Sequence, residues 1–148
     1  MKKPLNEMRL VIPSKSSNES FARYAVASFI SQLDPTVDEL TDIRTVVSEA
    51  VTNCIVHAYR DTIGMIYINV QIFEDGRAVI KIRDTGCGIE DIKQALTPLF
   101  TTGGDDRAGL GFAVMESFTD RLRVRSRPGH GTTVTMDKII ERRGRNEA

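Results

Sequence analysis

Two polar residues, Glu49 and Asn53, stand four positions apart in the segment Ser-Glu-Ala-Val-Thr-Asn. With about 3.6 residues in each helical turn, this spacing places both side chains on one side of a helix. A carboxylate there can accept a proton or orient a nucleophile, and a neighbouring amide oxygen can bind a hard cation such as Mg2+. Polar pairs at this spacing are also ordinary on helix surfaces, so other segments must decide between a site and plain surface.

The segment around this pair has the pattern of an amphipathic helix. The apolar residues that recur at helical spacing along one face are Ile43, Val46, Val47, Ala50, Val51 and Cys54. Glu49 and Asn53 lie along the border of that face, where a helix leaves the core and can contact a ligand. Thr36 and Glu39 have the spacing of a capping box, which predicts a helix from this point to about Tyr59.

A second candidate group follows a predicted strand. Residues 65–73 and 78–83 predict a hairpin of two strands, and the second strand leads into Asp84-Thr85-Gly86-Cys87-Gly88. A carboxylate at a strand end can accept a hydrogen bond from an exocyclic amine such as that of adenine. Gly86 and Gly88 allow the backbone to approach a ligand closely. Asp and Gly are also common in plain turns, so this segment alone is weak evidence.

A third candidate group is the pair Gly109 and Gly111, at the predicted start of a helix that runs to about Phe118. Free backbone N–H groups and the positive end of a helix dipole suit phosphate. Residues 97–108 lack periodicity and are rich in Gly, Thr and Asp, which predicts a mobile loop. The glycine segments fit neither the Walker pattern nor the dinucleotide-binding pattern, so a P-loop or Rossmann site is not expected.

Two arginines have two interpretations each. Arg107 precedes the Gly109 turn and could neutralise charge on a transferred phosphoryl group or be a surface charge. Arg23 projects from the first predicted helix and could be solvated or contact a partner. His57 is interpreted as a packed or capping side chain.

The order of the elements predicts an α+β protein. A strand is predicted at 8–12. The first helix follows it, beginning where Ser16 and Glu19 have capping-box spacing and ending near Leu33. A short helix is predicted at 91–96, and strands at 122–126 and 132–136 end the fold. The predicted architecture is a two-layer α/β sandwich with a mixed, mostly antiparallel sheet covered by helices on one face. Residues 1–148 form one domain, with a flexible C-terminal tail from about 138.

Composition excludes several classes of function. The 148 residues are 41% hydrophobic and 27% charged, and 20 basic residues balance 20 acidic ones, which gives no reason to expect a nucleic-acid or membrane partner. No apolar run approaches the roughly 20 residues of a membrane span, and no signal core follows the N-terminal lysines. Two cysteines are too few for a disulfide framework. The expected location is the cytoplasm.

The three segments, together with Gly131-Thr132 at the start of a strand, resemble the ATP-binding family that joins gyrase, Hsp90 chaperones, histidine kinases and MutL. The resemblance implies the Bergerat ATP-binding fold, with ATP and Mg2+ as ligands. Asn53 would bind Mg2+, and Asp84 would bind the adenine amino group with Thr132 nearby. The other residues implied at the nucleotide are Gly86, Gly88, Gly109, Gly111 and, in a lid at 97–108, Thr101 and Thr102.

Four strings resemble the anti-sigma kinases of spore-forming bacteria. They are Asn-Glu-Ser-Phe-Ala-Arg at 18–23, Gln-Leu-Asp-Pro-Thr at 32–36, Val-Val-Ser-Glu-Ala-Val-Thr-Asn at 46–53 and Pro-Leu-Phe-Thr-Thr at 98–102. This resemblance implies a homodimeric serine kinase that holds the sporulation sigma factor sigma F and phosphorylates its anti-anti-sigma antagonist. Glu49 would be the base, Arg107 would assist transfer and Arg23 would contact the sigma factor. A kinase for the general stress sigma factor and a nucleotide-gated module without phosphotransfer are the alternatives.

Overall fold

One antiparallel sheet carries the fold of this computed structural model, which describes residues 3–90, 96 and 106–141, with the backbone alone at 106–110. Its strands are β1 (Asn6–Pro13), β2 (Met65–Ile72), β3 (Arg77–Asp84), β4 (Arg121–Arg127) and β5 (Gly131–Ile139). Their order across the sheet is β1-β2-β3-β5-β4, and every neighbouring pair is antiparallel. The predicted two-layer sandwich is therefore confirmed, and the sheet, which was predicted to be mixed and mostly antiparallel, is wholly antiparallel in the described residues.

Three helices form the second layer in the described residues: α1 (Ser17–Ile30), α2 (Val37–Asn53) and α3 (Asp106–Ser117). The alternate residues of the strands that face them are buried, including Ile66, Ile68, Ile80 and Ile82. The apolar face predicted for α2 packs into the same core, and its buried residues are Ile43, Val46, Val47, Ala50 and Val51. None of the described helices is long and apolar enough to cross a lipid bilayer.

The two predicted capping boxes have different outcomes. Thr36 and Glu39 form one at the start of α2, as predicted, with side-chain to backbone bonds in both directions. The box predicted for Ser16 and Glu19 is wrong, because Ser16 has helical backbone angles and makes no side-chain cap. Glu19 instead turns towards α2, where its carboxylate accepts a hydrogen bond from Ser48.

Two predicted boundaries are also corrected. Helix α3 begins at Asp106, so the Gly109–Gly111 segment lies inside the helix and not at its start. Strand β5 continues to Ile139 and Ile140 is buried, so residues 138–140 belong to the folded domain and not to a flexible tail. Of the predicted helix at 91–96, only residue 96 is described. The first part of the predicted lid, residues 97–105 with Thr101 and Thr102, lies outside the described residues.

Candidate functional site

Glu49 and Asn53 face the backbone of α3 at Gly111. A Cβ atom placed on Gly111 would lie 3.1 Å from Glu49 Oε2 and 3.4 Å from both Asn53 Oδ1 and Asn53 Nδ2. A side chain at this position would therefore press on both polar groups. Glycine at position 111 leaves space beside the side chains of Glu49 and Asn53. Helices α2 and α3 therefore bring a carboxylate, an amide and the helix backbone to one place.

The amide of Asn53 has an unsatisfied polar atom. Its Nδ2 is buried and has no hydrogen-bond partner among the residues that the structure describes. A buried donor without a partner is costly, and such groups are rare unless a ligand or water satisfies them. Rotation of the amide exchanges its oxygen and nitrogen, so the same position can offer a metal ligand.

The donor set around Asn53 fits Mg2+ held mostly by phosphate. In the described residues, no three His, Cys, Asp or Glu side chains lie close enough together to form a metal cluster. Mg2+ commonly takes one or two protein oxygens and completes its coordination with phosphate oxygens and water. One amide oxygen from the protein is sufficient for that arrangement when phosphate and water supply the other ligands.

Glu49 is a partly buried carboxylate whose surroundings favour its protonated form. Burial raises the pKa of Glu49, and the negative charge of Glu19 raises it further. Glu19 is itself held between Ser48, which donates a hydrogen bond to it, and Arg23, whose Nε lies 3.4 Å from Glu19 Oε2. A carboxylate with a raised pKa binds a proton more strongly than an exposed one, which suits a general base.

Asp84, the last residue of β3, is buried and hydrogen-bonded on both oxygens. Its Oδ1 accepts from the backbone N–H of Gly86 at 2.9 Å and of Thr132 at 3.2 Å. Its Oδ2 accepts from the thiol of Cys54 at 3.5 Å. Burial raises the pKa of Asp84, and these hydrogen bonds oppose the rise. The structure thus brings three predicted residues together, namely Asp84, Gly86 and Thr132.

Cys54 connects the two halves of the site, and the sequence analysis missed this role. It follows Asn53 directly and donates to Asp84, so the amide and the buried carboxylate line one region. Burial raises the pKa of Cys54 well above its usual value, and the nearby Asp84 charge adds to the effect, so the thiol stays a donor. An apolar-face cysteine gives no sequence signal for this contact.

The backbone after Asn53 widens into a π-helical turn, Cys54–Ala58, before Tyr59. Such turns occur frequently at functional sites. The Tyr59 hydroxyl accepts from Thr85 N–H at 2.7 Å and donates to the Met65 carbonyl at 2.7 Å. Tyr59 was also missed by sequence reasoning, and it fixes the turn after Asp84 to the end of the helix.

The two turn glycines are required by the protein's own backbone. A Cβ on Gly86 would overlap the carbonyl oxygen of Ala58, and one on Gly88 would overlap that of Arg127. Gly88 also has φ of +76°, which L side chains rarely adopt. Close approach of these glycines to a ligand stays a prediction, while their packing against the π turn and the β4–β5 hairpin is observed.

The remaining predicted residues are less fully placed. Gly109 and Gly111 are the fourth and sixth residues of α3, so both lie in its first two turns. Arg107 lies in the first turn of α3, and its side chain is outside the described residues. Arg23 is half-buried beside Glu19 and is not the freely solvated arginine that one interpretation predicted.

Most of the chain matches a known protein family. Residues 12–138 match the family described as histidine kinase-like ATPase domain. The chain belongs to this family. Membership in an ATPase family implies that the chain binds a nucleotide, in agreement with the resemblance noted in the sequence.

Relatives named anti-sigma F factor match almost the whole chain. The protein from Caldanaerobacter subterraneus subsp. tengcongensis is 55% identical over 138 residues, covering 93% of this chain and 96% of its own. The one from Clostridium novyi is 55% identical over 138 residues, covering 92% and 96%. The one from Priestia megaterium is 53% identical over 137 residues, covering 91% and 93%. By sequence, the chain therefore belongs with the anti-sigma F factors.

Solved structures support the fold. The RsbU and RsbW domains of Rv1364c from Mycobacterium tuberculosis match with a TM-score of 0.69 at 18% identity, covering 94% of this chain and 33% of that one. The histidine kinase domain from Erythrobacter litoralis EL346 matches with a TM-score of 0.57 at 20% identity, covering 87% and 62%. At these identities the likeness concerns the fold alone.

Proposed function

We propose that this chain is an ATP-dependent serine/threonine protein kinase and anti-sigma factor. It binds ATP with Mg2+, holds sigma F, and phosphorylates a serine of an anti-anti-sigma protein. It acts as a homodimer in the cytoplasm. The observation that carries the proposal is the buried Asn53 Nδ2, which has no hydrogen-bond partner among the described residues. Asn53 and Glu49 both face Gly111, and the adjacent Cys54 donates to Asp84.

The nucleotide is held at two ends. Asp84 accepts a hydrogen bond from the adenine amino group through Oδ2, which already accepts from the Cys54 thiol alone, whereas Oδ1 accepts from two backbone N–H groups. The phosphates lie towards the start of α3 near Gly109, where the positive end of the helix dipole favours negative charge. Asn53 provides the protein oxygen for Mg2+, which when bound neutralises phosphate charge. Thr101 and Thr102 contact the nucleotide from the lid.

Transfer requires positioning and a proton acceptor. The oxygen of the acceptor serine bonds to the γ-phosphorus while the bond to the bridging oxygen breaks, which releases ADP. Glu49 accepts the serine proton at a carboxylate oxygen, a role that its partial burial supports. Arg107 neutralises charge on the transferred group from the first turn of α3.

The test of catalysis is transfer of labelled phosphate. Purified protein is incubated with γ-labelled ATP, Mg2+ and an anti-anti-sigma protein, and the modified residue is identified by mass spectrometry. The expected result is a labelled serine on the acceptor. A protein that binds ATP but labels nothing would be a nucleotide-gated module, and the kinase proposal would be wrong.

The test of the anti-sigma role uses Arg23. This residue lies at the side of α1 next to Glu19, and its guanidinium can pair with a partner carboxylate. Affinity for sigma F and for the general stress sigma factor is measured for wild type and for Arg23→Glu, with Arg9→Glu as a control at an exposed residue on the sheet face away from the helices. Preference for sigma F and loss of at least about tenfold in Arg23→Glu are expected. Preference for the stress factor would identify the alternative kinase.

A further inference from the structure

The face of the sheet opposite the helices is strongly basic. Strand alternation places on it the side chains of Arg9, Arg77, Lys81, Arg83, Arg121, Arg123, Arg125 and Arg127. The acidic residues that share this face are Glu7 and Asp137. Because the whole chain has a formal net charge of zero, this face concentrates positive charge that is balanced elsewhere.

Strand β4 is the most basic part of this face. Every second residue from Arg121 to Arg127 is an exposed arginine, and the residues between them point towards the other layer. Arg123 pairs with Asp137 at 3.1 Å. Arg121, Arg125 and Arg127 have no hydrogen bond or ion pair from their side chains to any residue that the structure describes. Three guanidinium groups are therefore available to an external anion.

Strand β4 also lies at the edge of the sheet. It pairs with β5 on one side, and within the described residues no strand pairs with its other side. An edge strand presents backbone N–H and C=O groups that a further extended chain can satisfy. A chain added there would have the same two-residue period as β4, so its alternate side chains would lie opposite the arginines.

We propose that the outer edge of β4 binds an extended acidic segment of a partner protein. The segment adds as a strand, and carboxylates at alternate positions pair with Arg121, Arg125 and Arg127. Arginine suits this role because its planar guanidinium can bind a carboxylate with two hydrogen bonds. The surface lies on the opposite side of the sheet from Glu49 and does not depend on phosphoryl transfer.

Two other occupants fit this surface less well. Single-stranded nucleic acid binds basic grooves that also offer aromatic rings for stacking, and the β4–β5 part of this face has none. A second copy of this chain docked here would bring its own row of arginines against the first, and like charges directly opposite one another are unfavourable. An acidic peptide satisfies both the charge and the free edge.

The experiment uses the full-length protein and a labelled peptide. The peptide has glutamate at every second position and valine or threonine between, and fluorescence polarisation gives its Kd. Two comparison peptides are used. The blocked peptide has the same composition with its glutamates in one run, and the N-methylated peptide carries methyl groups on alternate backbone nitrogens. The alternating peptide should bind at least about tenfold more tightly than either comparison peptide. The blocked peptide cannot place a glutamate opposite each arginine, and the methylated peptide lacks the N–H groups that would hydrogen-bond to β4.

The variant is Arg121→Gln/Arg125→Gln. Arg123 is left in place because it pairs with Asp137, and Arg127 because its carbonyl packs on Gly88. The matched control, Arg9→Gln/Lys15→Gln, removes two exposed cations away from β4. The β4 variant should lose at least about tenfold in peptide affinity, and the control should change it less than about twofold.

Five results would overturn the proposal. The first is equal binding of the alternating and blocked peptides, the second is retained binding of the N-methylated peptide, and the third is an equal loss of affinity in the variant and the control. The fourth is tighter binding of an oligothymidylate than of the peptide. A changed sedimentation coefficient of the unliganded Arg121→Gln/Arg125→Gln protein would assign the arginine row to contacts between copies and would also overturn it.

Discussion

Glu49 combines a helix-border position with partial burial and a like-charged neighbour, Glu19. Burial and Glu19 both raise its pKa, so its carboxylate takes up a proton at a higher pH than an exposed glutamate would. A general base must be deprotonated to act. The proposed activity is therefore present above the raised pKa and is lost as the pH falls through it.

The pH profile of phosphotransfer tests this relation. In Glu19→Gln the nearby negative charge is removed while an amide oxygen can still accept from Ser48, so the acidic limb should move to lower pH. Asp38→Asn, which removes an exposed carboxylate in the first turn of α2, should leave the limb in place. An acidic limb that does not move in Glu19→Gln would contradict the assignment of that limb to Glu49.

Asp84, the proposed adenine-binding residue, lowers the stability of the fold at neutral pH because its carboxylate is buried. Because burial raises its pKa above that of an unfolded aspartate, the charged form disfavours folding at neutral pH, and this cost disappears as the pH falls and the group is protonated. Asp84→Asn removes the charge and keeps an oxygen for Gly86 and Thr132.

Asp84→Asn should therefore unfold in urea at the same or a higher concentration than wild type at pH 7, yet bind ATP at least about tenfold more weakly, because a hydrogen bond to a charged group is lost. Asp61→Asn, in an exposed turn, should change neither property. Wild-type affinity for ATP in Asp84→Asn would remove Asp84 from adenine binding.

At the scale of elements, the approach of α3 to α2 at Gly111 controls the site. Gly111→Ala should raise helix stability by up to about 1 kcal/mol, because alanine is the better helix former. It should also lower the phosphotransfer rate by about tenfold or more, since the new Cβ presses on Glu49 and Asn53. Urea unfolding and initial-rate assays measure the two effects. A variant that is both more stable and fully active would show that this contact does not matter for transfer.

The contact between α1 and α2 includes the hydrogen bond from Ser48 to Glu19, beside the buried apolar side chains of both helices. Ser48→Ala should reduce the free energy of unfolding by about 1 kcal/mol, because it leaves a partly buried carboxylate without that donor. Thr45→Ala is the matched control, since its hydroxyl bonds only to the carbonyl of Thr41 in the same helix and should change stability by less than about 0.5 kcal/mol. An equal decrease in the free energy of unfolding in the two variants would show that the hydrogen bond between the helices stabilises the fold no more than the bond within α2.

Local sequence patterns were sufficient where local interactions decide structure. The strands followed from alternation, and the α2 cap followed from the spacing of Thr36 and Glu39. The α1 cap failed because Glu19 has a partner 29 positions away on α2, which spacing cannot reveal. The start of α3 was misplaced because its glycines suggested a boundary that the backbone does not have.

At the scale of the whole molecule, the sheet separates two surfaces. One carries the helices and the proposed nucleotide site, and the other carries the basic residues that strand alternation collects from three of the five strands, β1, β3 and β4. Positions of Glu49, Asn53 and Asp84 could be predicted because each stands at a recognisable place in a helix or strand. The contact of Cys54 with Asp84 and the arginine row of β4 emerge only once the tertiary fold brings distant segments together.

The proposed kinase activity is tested most directly by single-turnover transfer of labelled phosphate in wild type and in Glu49→Gln, each saturated with ATP and Mg2+. The glutamine keeps the size and hydrogen-bonding reach of the side chain but cannot accept the serine proton. Transfer should fall by about 10²- to 10⁴-fold while the Kd for ATP changes less than about twofold. Equal transfer rates in the two proteins would show that Glu49 is not the base and that the site does not work as described.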